Sequence, residues 1–171
     1  MPPEQIPLPT MGPAPLVPGP IFVQFELIGK PGHKGRHRSR IVFPKGSRKA
    51  FVHHYPDPDT EAYEKMLAEV ASLHMRGKQP TERPVSLLVH AFREIPESWS
   101  KKEREAALAG AVLPTSRVDI DNYLKVAMDA LNKICWRDDS QVIDARAIKR
   151  YDANPALRIE IREFVIPGTI T

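Results

Sequence analysis

The chain has 171 residues, 42% of them hydrophobic and 27% charged, with a net charge of +4. That is the make-up of one ordinary globular domain, able to build a core without metal or disulfide staples. Its single cysteine, Cys135, excludes an intramolecular disulfide and any zinc site needing two or more thiolates. No apolar run approaches the roughly 18–20 residues that span a bilayer, and no basic-then-apolar signal opens the chain, so a cytoplasmic protein without membrane partners is expected.

Eight of the 18 prolines fall in the first 20 residues, MPPEQIPLPTMGPAPLVPGP. Proline removes backbone donors and fixes φ, so residues 1–20 read as an extended leader and residues 21–166 as the folded domain. Ile21–Ile28 alternates, with Ile21, Val23, Phe25 and Leu27 on one face and Gln24 and Glu26 on the other, which predicts a strand with one solvated side. From Lys30 to Lys49 there are eight cations (Lys30, Lys34, Arg36, Arg38, Arg40, Lys45, Arg48, Lys49) and no acid, leaving the rest of the chain at −4. So local a positive field suits contact with a polyanion, and the glycines and serines around it suit a flexible arm.

A helix follows, with Asp57 as cap, Pro58 in the first turn, Asp59 and Glu61 at the positive end of the dipole and Gly77 after the last turn. Tyr63, Met66, Leu67, Val70 and Leu73 form its expected buried stripe. Val85–Phe92, apolar on both faces apart from Ser86 and His90, reads as a central strand. Ser100-x-x-Glu103 has the form of a capping box opening a short helix that ends near Gly110. Residues 121–134 carry Leu124, Ala127, Met128, Leu131 and Ile134 at helical spacing. Two strands close the chain, Gln141–Tyr151 and Leu157–Val165, with a C-terminal hairpin expected. The fold class is α/β or α+β, a single mixed sheet flanked by helices.

Chemistry concentrates in Ser116–Val142, SRVDIDNYLKVAMDALNKICWRDDSQV. Asp119 and Asp121 are two apart, so in extended chain their carboxylates project to one side, and the helical stripe beginning just after them places the pair at a strand-to-helix junction. Lys125 lies one turn beyond Asp121 on the polar face, and Asp129 one turn further, as its expected ion-pair partner. Asp138 and Asp139 form a second acidic pair in a turn after the helix. A helix packed antiparallel onto the sheet would carry that turn away from Asp121, unless the chain doubles back or the next strand starts beside the first pair. Carboxylates with a lysine suit Mg²⁺, which takes one or two protein carboxylates plus phosphate and water oxygens, while the lysine adds positive charge at a phosphate.

DIDNYLKVAMDALN followed by CWRDDSQV, with IPESWSKKEREAALAG before it, closely resembles the signature of the RusA family of Holliday-junction resolvases, above all its phage and prophage members, over about Val85 to Phe164. The resemblance implies a small homodimeric endodeoxyribonuclease with a mixed sheet flanked by helices. It would use Mg²⁺, with Mn²⁺ as a substitute, to resolve four-way DNA by paired symmetric nicks, with no small-molecule cofactor, in a bacterial or phage-infected host cytoplasm. Carried over, the metal-binding aspartates are Asp119, Asp121 and Asp139, the catalytic lysine is Lys125, and Asp138 is a secondary candidate. Two positions depart from the family pattern: Val118 stands where members often have Pro, and Lys133 where many have Gly. The basic stretch 30–49 matches in character and place, as a supplier of phosphate contacts.

The alternative reading is a catalytically inactive branched-DNA-binding protein. A nucleotide-sugar transferase would need a longer chain, and a phosphatase with a nucleophilic Asp would not have Asn122 and Tyr123 in its motif. Trp136 is expected to pack under the acidic turn or to stack on a base, Cys135 to be a small buried residue, and His33 and His37 to add to a DNA-facing surface or to have no role.

Overall fold

The structure, a computed structural model, describes residues 17–35, 38–43, 51–55 and 57–165. Its elements in chain order are β1 (Pro18–Ile28), β2 (Arg38–Val42), β3 (Phe51–Tyr55), α1 (Pro58–His74), β4 (Val85–Glu94), α2 (Lys101–Leu108), α3 (Ile120–Leu131), a 3₁₀ turn (Asp139–Gln141), β5 (Val142–Asp152) and β6 (Ala156–Phe164). Four strands form a mixed sheet in the order β1-β6-β4-β5, with β4 antiparallel to β6 and parallel to β5. The arrangement is α+β, around one mixed sheet. β4 is paired on both sides, and its Val85, Leu87, Val89 and Ala91 are buried, as its unbroken apolar run predicts.

β5 and β6 are consecutive but do not pair; β4 lies between them. The expected C-terminal hairpin is therefore absent, because β4 offers each strand a better-buried neighbour than they offer one another. β1 is an edge strand, and an edge tolerates the prolines at 18 and 20 that an interior strand would not. Its Val23 and Phe25 are buried as predicted. Ile21 is 43% exposed, because register irregularities between Pro18 and Val23 break the alternation there.

One face of the sheet is covered by α1, packed on β1, and by α3, packed on β4 and β5, with the two helices against each other. Leu67 and Ala71 of α1, Val126, Ala127 and Leu131 of α3, and Leu157, Ile159 and Ile161 of β6 share that core. The stripe of α1 is rotated from the predicted one: Thr60, Tyr63, Leu67 and Ala71 are buried, while Met66 and Leu73 are about half exposed. Small side chains at 60 and 71 allow close approach to the neighbouring elements, which hydrophobicity alone does not register. α2 is opened by the Ser100–Glu103 capping box, both reciprocal bonds being present. α3 ends three residues earlier than its apolar periodicity suggests: Asn132 is the C-cap and Lys133 has φ 65°. Ile134 reaches the core from the turn beyond. No helix among the described residues is long and apolar enough to cross a membrane.

Candidate active site

Asp119 is the N-cap residue of α3, in extended conformation, and Asp121 lies in the helix's first turn. The segment leading to them is a loop after α2 rather than a strand. That loop is held from the sheet side: Arg93 donates to the Ser116 carbonyl at 3.2 Å and Lys149 to the Val118 carbonyl at 2.9 Å. Asp119 and Asp121 are both exposed, and the Asp119 side chain makes no capping hydrogen bond. The Lys125 ammonium lies 3.0 Å from Asp121, and that hydrogen bond holds the Asp121 carboxyl below the usual carboxylate range. Two exposed carboxylates two residues apart are hard oxygen donors of the kind that suit Mg²⁺.

Asp129 does not pair with Lys125 as predicted. It binds Lys34 at 2.5 Å, and Lys34 also reaches Glu64 at 2.7 Å. Lys34 thus clips the segment after β1 across α1 and α3. Burial works against its charge, but the Asp129 and Glu64 hydrogen bonds outweigh that and raise its pKa. Further bonds fasten the same strap: the Lys34 amide donates to the Asn122 carbonyl at 3.1 Å, and the Gly35 amide to Thr60 Oγ1 at 3.0 Å. A Cβ at Gly32 would lie 2.2 Å from the Tyr63 ring, so only glycine fits there.

Between this strap and the loop before α3 runs a cleft bordered by Lys30, His33, Arg93 and Arg117, with Glu94 as the one acid there, and it continues past Lys34, Gly35 and Asn122 to Asp119. Sequence reasoning missed Arg93, Arg117 and Lys149, isolated cations whose convergence no local pattern signals. Of the eight predicted DNA-contacting cations, Lys30 is exposed at the cleft and Lys34 is neutralised by two carboxylates. Arg38 and Arg40 lie on β2, in a two-stranded ribbon with β3 rather than a featureless arm. Arg36, Lys45, Arg48 and Lys49, like His37, fall outside the described residues.

The second acidic pair sits elsewhere. Its turn precedes β5 at the level of Val85, the start of β4, whereas the Asp119 loop is held by Lys149, seven residues further along β5. Seven strand residues are about 23 Å, and the ten residues of helix from Asp121 to Leu131 about 15 Å. α3 carries the turn away from the first pair, and among the described residues no three acids, histidines or cysteines cluster as metal ligands. One chain therefore brings together Asp119, Asp121 and Lys125, and leaves Asp138 and Asp139 at the far end of α3.

The far turn is closely built. Asp138 accepts from the Ser140 amide at 2.9 Å and caps the 3₁₀ turn; the Ser140 hydrogen bonding lowers its pKa. Gln141 ties the turn down with four bonds. Its Oε1 accepts from the Arg137 and Asp138 amides, each at 2.9 Å, and its Nε2 donates to the Thr81 and Arg83 carbonyls at 2.9 and 3.0 Å. Trp136 is fully buried, which removes the base-stacking option, and its indole Nε1 donates to Asp139 Oδ1 at 2.9 Å. Lys133 stands in the left-handed region that favours glycine. Cys135 is buried as expected, and burial pushes its thiol up to about 12.

The chain is 38% identical over 144 residues to the uncharacterized protein YqaN of Bacillus subtilis (strain 168), covering 82% of this chain and 96% of that protein. The family model described as "Endodeoxyribonuclease RusA" matches residues 29–162. That span runs from the strap through both acidic pairs to the last strand, and on it the chain belongs to the RusA family of endodeoxyribonucleases.

Proposed function

We propose that the protein is a Mg²⁺-dependent, structure-selective endodeoxyribonuclease that resolves four-way DNA junctions by paired symmetric nicks, acting as a homodimer in the cytoplasm. Family membership supports DNA phosphodiester hydrolysis. The observation that carries the finer reading is the pair of exposed carboxylates at the start of α3, with Lys125 beside them, at the end of a cationic cleft. Asp119, Asp121 and Asp139 would hold the cation, with Mn²⁺ as a substitute. The bound cation supplies an activated water and offsets charge building on the scissile phosphate.

In this reading Lys125 adds positive charge at that phosphate, while Lys30, Arg93 and Arg117 hold the strand through sequence-independent contacts. Asp138 serves as a cap. Since Asp139 lies at the far end of α3, a site that uses all three aspartates takes residues from two chains. A two-fold dimer also matches the two equivalent strands of a four-way junction.

The test is nicking of a synthetic four-way junction by wild type and Asp121→Asn, with and without Mg²⁺, beside linear duplex of matched length. Mg²⁺-dependent paired nicks on the junction, lost in a variant that still binds it, are expected. Full activity in Asp121→Asn would refute the assignment, and tight junction binding without nicks from wild type would favour an inactive binding protein. Mixing Asp119→Asn chains with Asp139→Asn chains tests the shared site: activity returns only if the aspartates act across two subunits.

A further inference from the structure

Among the described residues, β2 and β3 pair with each other and with no strand of the main sheet. Two apolar side chains face water here: Ile41 of β2 is 61% exposed, and Phe43, the residue just past the end of β2, is 69% exposed. They are two residues apart, the spacing at which extended chain carries side chains on one side. Neither belongs to the core cluster. The surrounding sequence carries eight cations between residues 30 and 49 and no acid.

The ribbon is rooted beside the candidate active site. Just before β2, Gly35 is bonded to Thr60, and the neighbouring Lys34 amide to the carbonyl of Asn122 in the first turn of α3. Phe43 is eight residues beyond Gly35, and eight extended residues reach about 29 Å at most. Phe43 and the Asp119–Asp121 pair can therefore engage the same DNA molecule.

We infer that Phe43, backed by Ile41, is a wedge that contacts bases at the branch point of the DNA substrate. The inference rests on the junction-nuclease reading above and adds the element that senses branching. Cations alone bind any phosphate backbone and carry no preference for a junction. An apolar side chain inserted between base steps unstacks them partly and bends the duplex. An aromatic ring also stacks on any base, which suits recognition of structure rather than sequence. Base pairs at a branch point lack a continuous stack on one side, so they open to a wedge more readily than pairs within a duplex. The absence of any acid in the segment, and a nuclease site at its root, favour nucleic acid over a protein partner for this apolar patch.

The test uses the full-length protein without divalent cations, on a four-way junction carrying 2-aminopurine next to the branch point and on linear duplex of equal length. Wild type is expected to raise 2-aminopurine fluorescence on binding. Phe43→Ala loses most of that rise and binds the junction about five- to tenfold more weakly, the scale of one lost base–aromatic stack. Phe43→Trp restores both, while duplex affinity and the salt dependence of binding, set by phosphate contacts, stay at wild-type values. Because Phe43 is exposed, unchanged thermal melting shows that the variants are folded. A wild-type fluorescence rise and affinity in Phe43→Ala overturn the wedge. So does a shift in oligomeric state without a fluorescence change, which would assign the patch to a second copy of the chain. If wild type itself fails to bind the junction, the nuclease reading falls and takes the wedge with it, whereas wild-type binding with an indifferent Phe43→Ala removes the wedge alone.

Discussion

Gln141→Met keeps the length of the side chain and removes all four hydrogen bonds by which Gln141 fastens the Arg137–Asp139 turn to the Thr81–Arg83 segment. Each such bond contributes about 0.5–1.5 kcal/mol net. Gln141 is half-buried, so water replaces part of what is lost, and a total cost of about 2–4 kcal/mol is expected. For a chain of this size that lowers the melting temperature by about 5–15 °C. Urea unfolding followed by far-ultraviolet circular dichroism gives the free energy, and an unchanged m-value shows that the unfolding transition itself is unaltered. Gln141→Glu provides the internal control. It is closer in shape than methionine and keeps the acceptor for two amides, but it turns a second oxygen toward the Thr81 and Arg83 carbonyls, so it should be no more stable than Gln141→Met. A Gln141→Met variant within about 0.5 kcal/mol of wild type would refute the reasoning, as would a Gln141→Glu variant as stable as wild type.

Three further outcomes are expected. Lys34 has its pKa raised by Asp129 and Glu64 above the ordinary 10.5, so its stabilising contribution is complete below that pH and is lost as pH rises through the higher folded value; the stability gap between wild type and Lys34→Met, measured by thermal melting across pH 7–12, should close only above about pH 10.5. Gly32→Ala places a methyl group against the Tyr63 ring and should cost about 1–3 kcal/mol in urea unfolding through displacement of the strap, whereas Gly29→Ala, with open space around it but φ 116°, tests backbone strain alone. Lys133→Gly relieves a left-handed backbone at an exposed position and should stabilise the protein by up to about 1 kcal/mol, detectable in the same assay.

Much of the fold was legible in the residues because local chemistry settled it. Alternation marked β1 and β6, an unbroken apolar run marked β4 as central, and the Ser100–Glu103 box opened α2. The Asp119–Asp121–Lys125 group was legible for the same reason: Asp119 and Asp121 are two residues apart at the start of α3, and one helical turn brings Lys125 to Asp121. What depended on distant parts of the chain was not legible. The partner of Lys34 lies 95 residues away on α3, so the sequence placed Lys34 among free cations and Asp129 beside Lys125. The rotated face of α1 depended on which neighbours it packs against, and the separation of β5 from β6 on β4 taking the place between them. The position of Asp139 is the clearest case. Spacing shows that it follows a helix, but only the direction of α3 across the sheet decides at which end it lies, and that direction is set by burial of Val126, Ala127 and Leu131 against strands far away in the chain.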